Sequence, residues 1–418
     1  MKCSSILAAC GMSAAIAAPA VAQVGATFST ITDPVTGGIA ISANDMSPDG
    51  RWVVGGIDFN GDLVVDAGYR WDRQTNTFTI INVDNLFPGA DPVVAISDDG
   101  SVLLGSLPGL VDPVAEEAAI WTEADGWTRL GYLPNAGFCP SRSNGYELSG
   151  DGTIAVGLSW DGCSGRGFIW TAADGMQQLE NMALGGNRAS IVSSDGSVIA
   201  GFAQGSTRTP TMWDGITRQG TLLDPTLQTG GEFYGMRDDG SVLLGAWDQG
   251  GGTFEAGMLV NGVASKIGNG AILPGWSGIP MDIADNGTIV GFDILLGNRR
   301  AWIQPNGNGS LQLAKTYLNA LGAGIPSSTS LQVLQAISTD GTAIIGHTGG
   351  LGAFLITLEF GDTCPPDIND DGSLNFFDVS AYLALYNAQD PAADLDDNGL
   401  FNFFDVAGYI ATYNAGCP

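Results

Sequence analysis

Basic side chains are scarce in this sequence. Only 15 Lys and Arg stand against 44 Asp and Glu, a formal charge of -29 over 418 residues. Binding nucleic acid requires cations that neutralise phosphates, so that class of partner is excluded, and anionic membrane surfaces with it. Histidine is scarcer still: His347 stands alone, so no more than one His-based triad is available and a zinc site would lack ligands. After the N-terminus no apolar run reaches the roughly 20 residues of a membrane span. Helical periodicity of any length is missing before residue 311. What is left is acidic, rich in Gly (62 residues) and patterned for short strands, as expected of a soluble exported protein that binds calcium.

The N-terminus reads as a secretory signal covering residues 1–22. Lys2 supplies a minimal positive region, Ile6 to Ala18 is apolar and small, and Ala20-Val21-Ala22 forms an A-x-A cleavage site before Gln23. A competing lipoprotein-box reading at Leu7-Ala8-Ala9-Cys10 has almost no apolar stretch before it. Cleavage predicts a secreted or cell-surface protein with no membrane insertion afterwards, and removes Cys3 and Cys10. Cys139, Cys163, Cys364 and Cys417 remain, an even number that suggests two disulfides in an exported chain. Three pairings are open; Cys139–Cys163 with Cys364–Cys417 keeps each bridge within one domain.

The middle of the chain repeats. Ser47-Pro-Asp-Gly-Arg-Trp-Val-Val-Gly55 recurs as Ser97 to Gly105, Ser149 to Gly157, Ser193 to Gly201, Arg237 to Gly245, Ala284 to Gly291 and Ser338 to Gly346. Between successive turn glycines the spacings are 50, 52, 44, 44, 47 and 54 residues. Asp-Gly supplies a tight hairpin turn, because Gly accepts positive φ and Asp bonds the local backbone. The aliphatic run after it reads as a strand buried on both faces. Its closing Gly either ends that strand or permits close backbone approach. A second strand follows with an aromatic near its end, as in Tyr69-Arg-Trp71, Phe168-Ile-Trp170 and Ala301-Trp302. Counting a further turn and strand, each repeat holds about four short strands in about 40–50 residues, the period of a propeller blade.

The chain is therefore expected to be mainly β: a seven-bladed β-propeller over residues 24–361, followed by a small helical domain over 364–418. Residues near Ala26 to Ile31 are placed to pair with Ala353 to Phe360 and close the ring, and Leu311 to Leu321 reads as one inserted helix. A β-solenoid is the competing architecture. The Ser-x-Asp-Gly segment and the Trp strand resemble the HAF-type extracellular repeat family, a likeness that implies a secreted β-repeat fold and says little of activity.

The C-terminus carries two loops in matched register, Asp367 to Asp378 and Asp394 to Asp405. Calcium takes six to eight oxygens, which an EF-hand loop delivers from fixed positions. For two Ca2+ ions those positions are Asp367, Asn369, Asp371, the Ser373 carbonyl, Asn375 and Asp378 in the first loop. In the second they are Asp394, Asp396, Asn398, the Leu400 carbonyl, Asn402 and Asp405. Gly372 and Gly399 sit at the sharp turn. A helix is expected after each loop, with Val379, Tyr382, Leu383 and Tyr386 on one face and Val406, Tyr409, Ile410 and Tyr413 repeating it 27 residues later. This region resembles a dockerin of the Cys-bounded GC type, with Cys364-Pro365 opening it and Cys417-Pro418 closing it. The resemblance implies a cohesin-like protein partner. Many dockerins are polar at loop positions ten and eleven, where Phe376, Phe377, Phe403 and Phe404 stand here. That departure predicts an apolar partner-binding face, or a core role for one Phe of each pair.

No catalytic residue can be assigned. His347 reads as a solvent-facing loop residue. Asp49, Asp99, Asp151, Asp195, Asp239 and Asp340 read as turn formers, and the strand-end Trp residues as blade core. Three readings of function follow: a non-catalytic propeller for binding or display, anchored by its C-terminus; a dockerin-borne glycoside hydrolase or lyase acting on extracellular polysaccharide; and a structural surface protein. The short linker Gly361-Asp362-Thr363 favours a fixed assembly over a swinging enzyme arm.

Overall fold

A computed structural model describes residues 23–84, 92–110, 115–134, 140–160, 164–226, 228–248, 253–307, 309–350, 352–360, 366–369, 374–395 and 398–415. The chain divides into two compact units, one spanning Gly25–Leu358 and the other containing Glu359–Pro418.

The larger unit is a propeller of seven antiparallel sheets. Blades two to six are each four strands consecutive in sequence, as in blade three: Ser143–Leu148, Ile154–Trp160, Gly165–Thr171 and Gly175–Gln178. In blade one, Ile39–Ala40 and Asp45–Met46 share the innermost position. Blade seven takes three strands from the end of the domain and its outermost from the beginning: Gln23–Thr30 pairs with Ala353–Phe360. Phe28 lies 5.6 Å from Phe354 across this seam, and the expected ring closure is realised.

The repeat's chemistry explains the turn between the two inner strands. In blade two, Ser97 Oγ donates to Asp99 Oδ1 (2.9 Å) and accepts from the Val102 N–H (3.0 Å). The same Asp99 oxygen accepts the Ser101 N–H, and Gly100 takes φ +74°. Ser47, Ser149, Ser193 and Ser338 make the same pair of bonds. Blades five and six carry Arg237 and Ala284 instead and lose the hydroxyl bonds, while Asp239 and Asn286 still accept the Ser241 and Thr288 N–H groups (2.9 Å each).

The closing glycine does not end its strand. Gly105 lies inside Val102–Pro108, opposite a register shift between Val93 and Ala95. A Cβ there would run into the Pro92 carbonyl oxygen. The same shift recurs in blades three to seven. Each innermost strand therefore bulges towards a glycine that makes room for its carbonyl.

Blade faces pack against each other through apolar side chains. Leu104, Leu148, Ala155 and Phe168 form one such layer, with Trp170 against it. Burying a ring such as Phe168 contributes about 1.5–3 kcal/mol. Trp213 and Trp302 are fully buried, and Trp71 and Trp121 pack on similar layers, so the strand-end tryptophans are blade core. The inserted helix is shorter than expected: α1 runs Ala314–Ala320, because Gln312–Leu313 pairs with Ile303 and Trp302 as the outer strand of blade six.

The smaller unit holds helices α2 (Phe376–Ala388) and α3 (Phe403–Ala415) with a 3-10 turn at Pro391–Ala393 between them.

Candidate functional site

Each expected calcium loop runs straight into a helix, and its last carboxylate ties the two together. Asn375 caps α2 by accepting the Phe377 N–H (2.8 Å), while Asp378 accepts the Asn375 N–H (2.8 Å), a reciprocal capping box. Those N–H bonds, the Asn375 one first, hold Asp378 below the usual carboxylate range. The second copy repeats this: Asn402 accepts the Phe404 N–H (2.8 Å) and Asp405 the Asn402 N–H (2.7 Å). Asp378 and Asp405 are fully buried, and each reaches back across its loop, to the Asn369 N–H (3.4 Å) and the Leu395 N–H (3.0 Å). Asp394 bonds the Asn398 and Gly399 N–H groups, and Gly399 takes φ +75° at the sharp turn. Every donor in the set is a hard oxygen, the chemistry calcium prefers. Asp371, Ser373 and Asp396 lie outside the described residues, as do residues 1–22, the linker 361–363 and Cys139, Cys163, Cys364 and Cys417. Among the described residues no three His, Cys, Asp or Glu side chains are grouped to hold a metal ion.

The two copies lock reciprocally. Tyr382 of α2 stacks on Tyr409 of α3 with ring centroids 4.0 Å apart and planes 2° from parallel. Tyr382 donates to the Ala393 carbonyl, one residue before the second loop; Tyr409 donates to the Pro366 carbonyl, one residue before the first. Val379, Leu385, Tyr386, Val406 and Tyr413 surround the stack. The expected helix faces need one correction: Leu383 and Ile410 are 43% and 52% exposed, and Leu385 packs inward instead. Of the two alternatives expected for the phenylalanines, the core role is the one the burial speaks to. None has a core role; Phe376, Phe377, Phe403 and Phe404 are 73%, 68%, 76% and 70% exposed.

The propeller's channel is the other candidate. Innermost strands of all seven blades line a cavity of about 130 Å³, below the roughly 300–1,000 Å³ of ligand pockets in general. At the Asp-Gly end, the second residue of the repeat bonds the next blade in five of the seven blades. The N–H groups of Asp98, Gly150, Ser194, Asp285 and Thr339 donate at 2.8 Å to the carbonyls of Gly150, Ser194, Asp238, Thr339 and Pro48. Pro48 has no N–H to continue the series into blade two. Side chains cross the same mouth: Ser194 Oγ donates to Asp98 (3.0 Å) and Thr339 Oγ1 to Asp238 (2.5 Å). Deeper in, Asp45 accepts the Ile96 N–H of blade two, Asp282 the Ile337 N–H of blade seven, and Glu147 the Leu148 N–H. Burial pushes Asp45 up to about 7 and lifts Glu147 and Asp282 well above the carboxylate range, with neighbouring channel acids adding to it. Asp98 and Asp238 are raised for the same first reason.

His347 is not in a loop. It lies in strand Ala343–Thr348, half-buried, with Nε2 3.0 Å from the Ala43 carbonyl oxygen. The repeat aspartates form turns as expected. One feature was missed. Asp58, Asn60, Asp62 and Asp66 occupy the hairpin after the second strand of blade one at positions 1, 3, 5 and 9. Asp58 there accepts the Asn60, Gly61 and Leu63 N–H groups. The alternating Asp/Asn spacing is its sequence signal, obscured because no other blade carries it.

No family model matches the chain, and no curated protein does. Solved propellers resemble it. An oligogalacturonate lyase from Vibrio parahaemolyticus is 12% identical over 81% of this chain and 98% of its own, at a TM-score of 0.50. An oligogalacturonate lyase in complex with manganese is 15% identical over the same shares at 0.49. TolB from Acinetobacter baumannii is 18% identical over 56% of this chain at 0.37, and the chain spans 61% of TolB's length. Of these, the likeness to the Vibrio parahaemolyticus lyase, at 0.50, accords with the β-propeller fold.

Proposed function

We propose that this chain is a secreted, calcium-dependent docking protein whose propeller is a non-catalytic binding or display module. On this reading the C-terminal unit is a dockerin: its two loops hold two Ca2+ ions, and its phenylalanine pairs engage a cohesin-like domain. The observation that carries it is the duplicated, exposed Phe-Phe pair. Four aromatic rings stand in solvent at equivalent positions of two loop–helix copies, while the tyrosines of the same helices pack inward. Exposed apolar groups gathered in this way mark an interaction surface, and burying each ring contributes about 1.5–3 kcal/mol. The channel, small and laced at one mouth, supports a display role over turnover of a polysaccharide.

Capture from envelope extracts tests this, with the full mature chain as bait in calcium or in EDTA. A cohesin-fold protein should be recovered in calcium, lost in EDTA, and lost with Phe376, Phe377, Phe403 and Phe404 all changed to Ala. Failure to recover any calcium-dependent partner sinks the proposal.

A further inference from the structure

A second cavity, of about 580 Å³, opens between blades six and seven. Its volume falls within the range of small-ligand sites, and its lining is unlike the rest of this acidic chain. Arg299 and Arg300, the second and third residues of strand Asn298–Gln304, both reach it. Neither has a hydrogen-bond or carboxylate partner among the described residues. Instead Arg299 lies over Phe292 at 5.3 Å and Arg300 over Trp276 at 5.9 Å.

Six other cations of the propeller are neutralised locally, while Arg142 lies over the Trp160 ring at 4.4 Å much as these two lie over theirs. Arg51, Arg70, Arg129, Arg188, Arg208 and Lys266 each pair with a carboxylate. Lys315, on the cavity's far wall, donates to the carbonyls of Pro326, Ser327 and Thr329. Those bonds staple the segment after α1 to the helix and present Ser327, Ser328 and Ser330 to the cavity. Two adjacent like charges repel, and among the described residues no carboxylate is paired with either of them. In a protein of charge -29 they are not needed for solubility.

We propose that this cavity binds an anionic saccharide, a sugar chain bearing carboxylate or sulfate groups. Guanidinium groups match planar carboxylates and sulfates in a two-bond fork. Trp276 supplies an apolar face for a sugar ring, and the serine wall supplies hydroxyl partners. The wider negative charge of the chain opposes non-specific adsorption of polyanions, so an anion retained here is held by this site. The proposal stands apart from the docking reading, which concerns the other unit.

Isothermal titration of the full chain with three probes tests it: a galacturonate trimer, a sulfated disaccharide and inorganic sulfate. The trimer or the sulfated sugar should bind, and which of them does assigns the charged group. Methyl-esterifying the trimer should abolish its binding. Arg299→Ala and Arg300→Ala should each weaken the bound sugar at least tenfold, and Trp276→Ala comparably. Arg300→Lys, which keeps the charge and loses the fork, should recover only part of the loss. Both arginines are exposed, and unchanged thermal melting of the variants confirms folding. Equal affinity for inorganic sulfate and saccharide, binding untouched by the arginine changes, or no binding by any probe overturns the proposal.

Discussion

At the residue scale, the channel carboxylates make stability depend on pH in an unusual direction. A carboxylic acid whose folded-state pKa lies above its unfolded value holds its proton more tightly when folded. Its contribution is complete below the unfolded value near 4 and disappears as pH rises through the folded value, about 7 for Asp45. The propeller should therefore melt at a lower temperature at pH 8 than at pH 5. Glu147→Gln is the clean test, because Glu147 accepts a single backbone N–H and an amide oxygen can keep it. It should raise the melting temperature at pH 8 and change little at pH 5; an equal effect at both would refute the mechanism. The closing glycines offer a second test. A Cβ at Gly201 would meet the Arg188 carbonyl and the Ser190 amide, both backbone atoms that cannot swing aside. Gly201→Ala should cost about 1–3 kcal/mol, read as a lower urea midpoint at unchanged slope.

At the scale of elements, the legible and the illegible parts of the sequence separate by range. Ser-x-Asp-Gly could be read as a turn because the bonds of its Ser and Asp side chains lie within five residues. The bulge opposite each closing glycine could not, since the residues beside it share no type: Asp45, Glu147 and Ile191 occupy one equivalent position. The saccharide cavity was equally hidden, because Trp276, Arg299 and Ser328 come from segments between repeat copies. In the helical unit the 27-residue register was plain, but the choice of Leu385 over Leu383 depended on how the two helices cross. The Tyr382–Tyr409 stack couples the copies, which yields a prediction under the calcium proposal. Calcium should slow hydrogen exchange across α2 and α3 together, and EDTA should release both. Tyr409→Phe leaves the Pro366 carbonyl without its phenol partner at a cost of about 1 kcal/mol, so the first loop should lose more calcium affinity than the second. Unchanged exchange in EDTA would remove the coupling of metal to folding.

At the scale of the whole molecule, the ring's seam joins Gln23–Thr30 to Ala353–Phe360. Deleting residues 23–30 should leave blade seven with an unpaired edge and lower the melting temperature of the entire propeller, since each blade leans on its neighbours. A truncated protein that melts like the intact one would mean the seam contributes nothing. The seam also orders events in time. The strand that leaves the ribosome early is seated late, and joining ends more than 300 residues apart carries a loop-closure cost on the order of 5 kcal/mol. Until then the chain is an open arc with one strand unmated and one edge exposed, and a second arc nearby offers that edge an identical strand without the loop cost. Dilution and crowding thus become the variables that decide whether refolding yields rings or exchanged pairs.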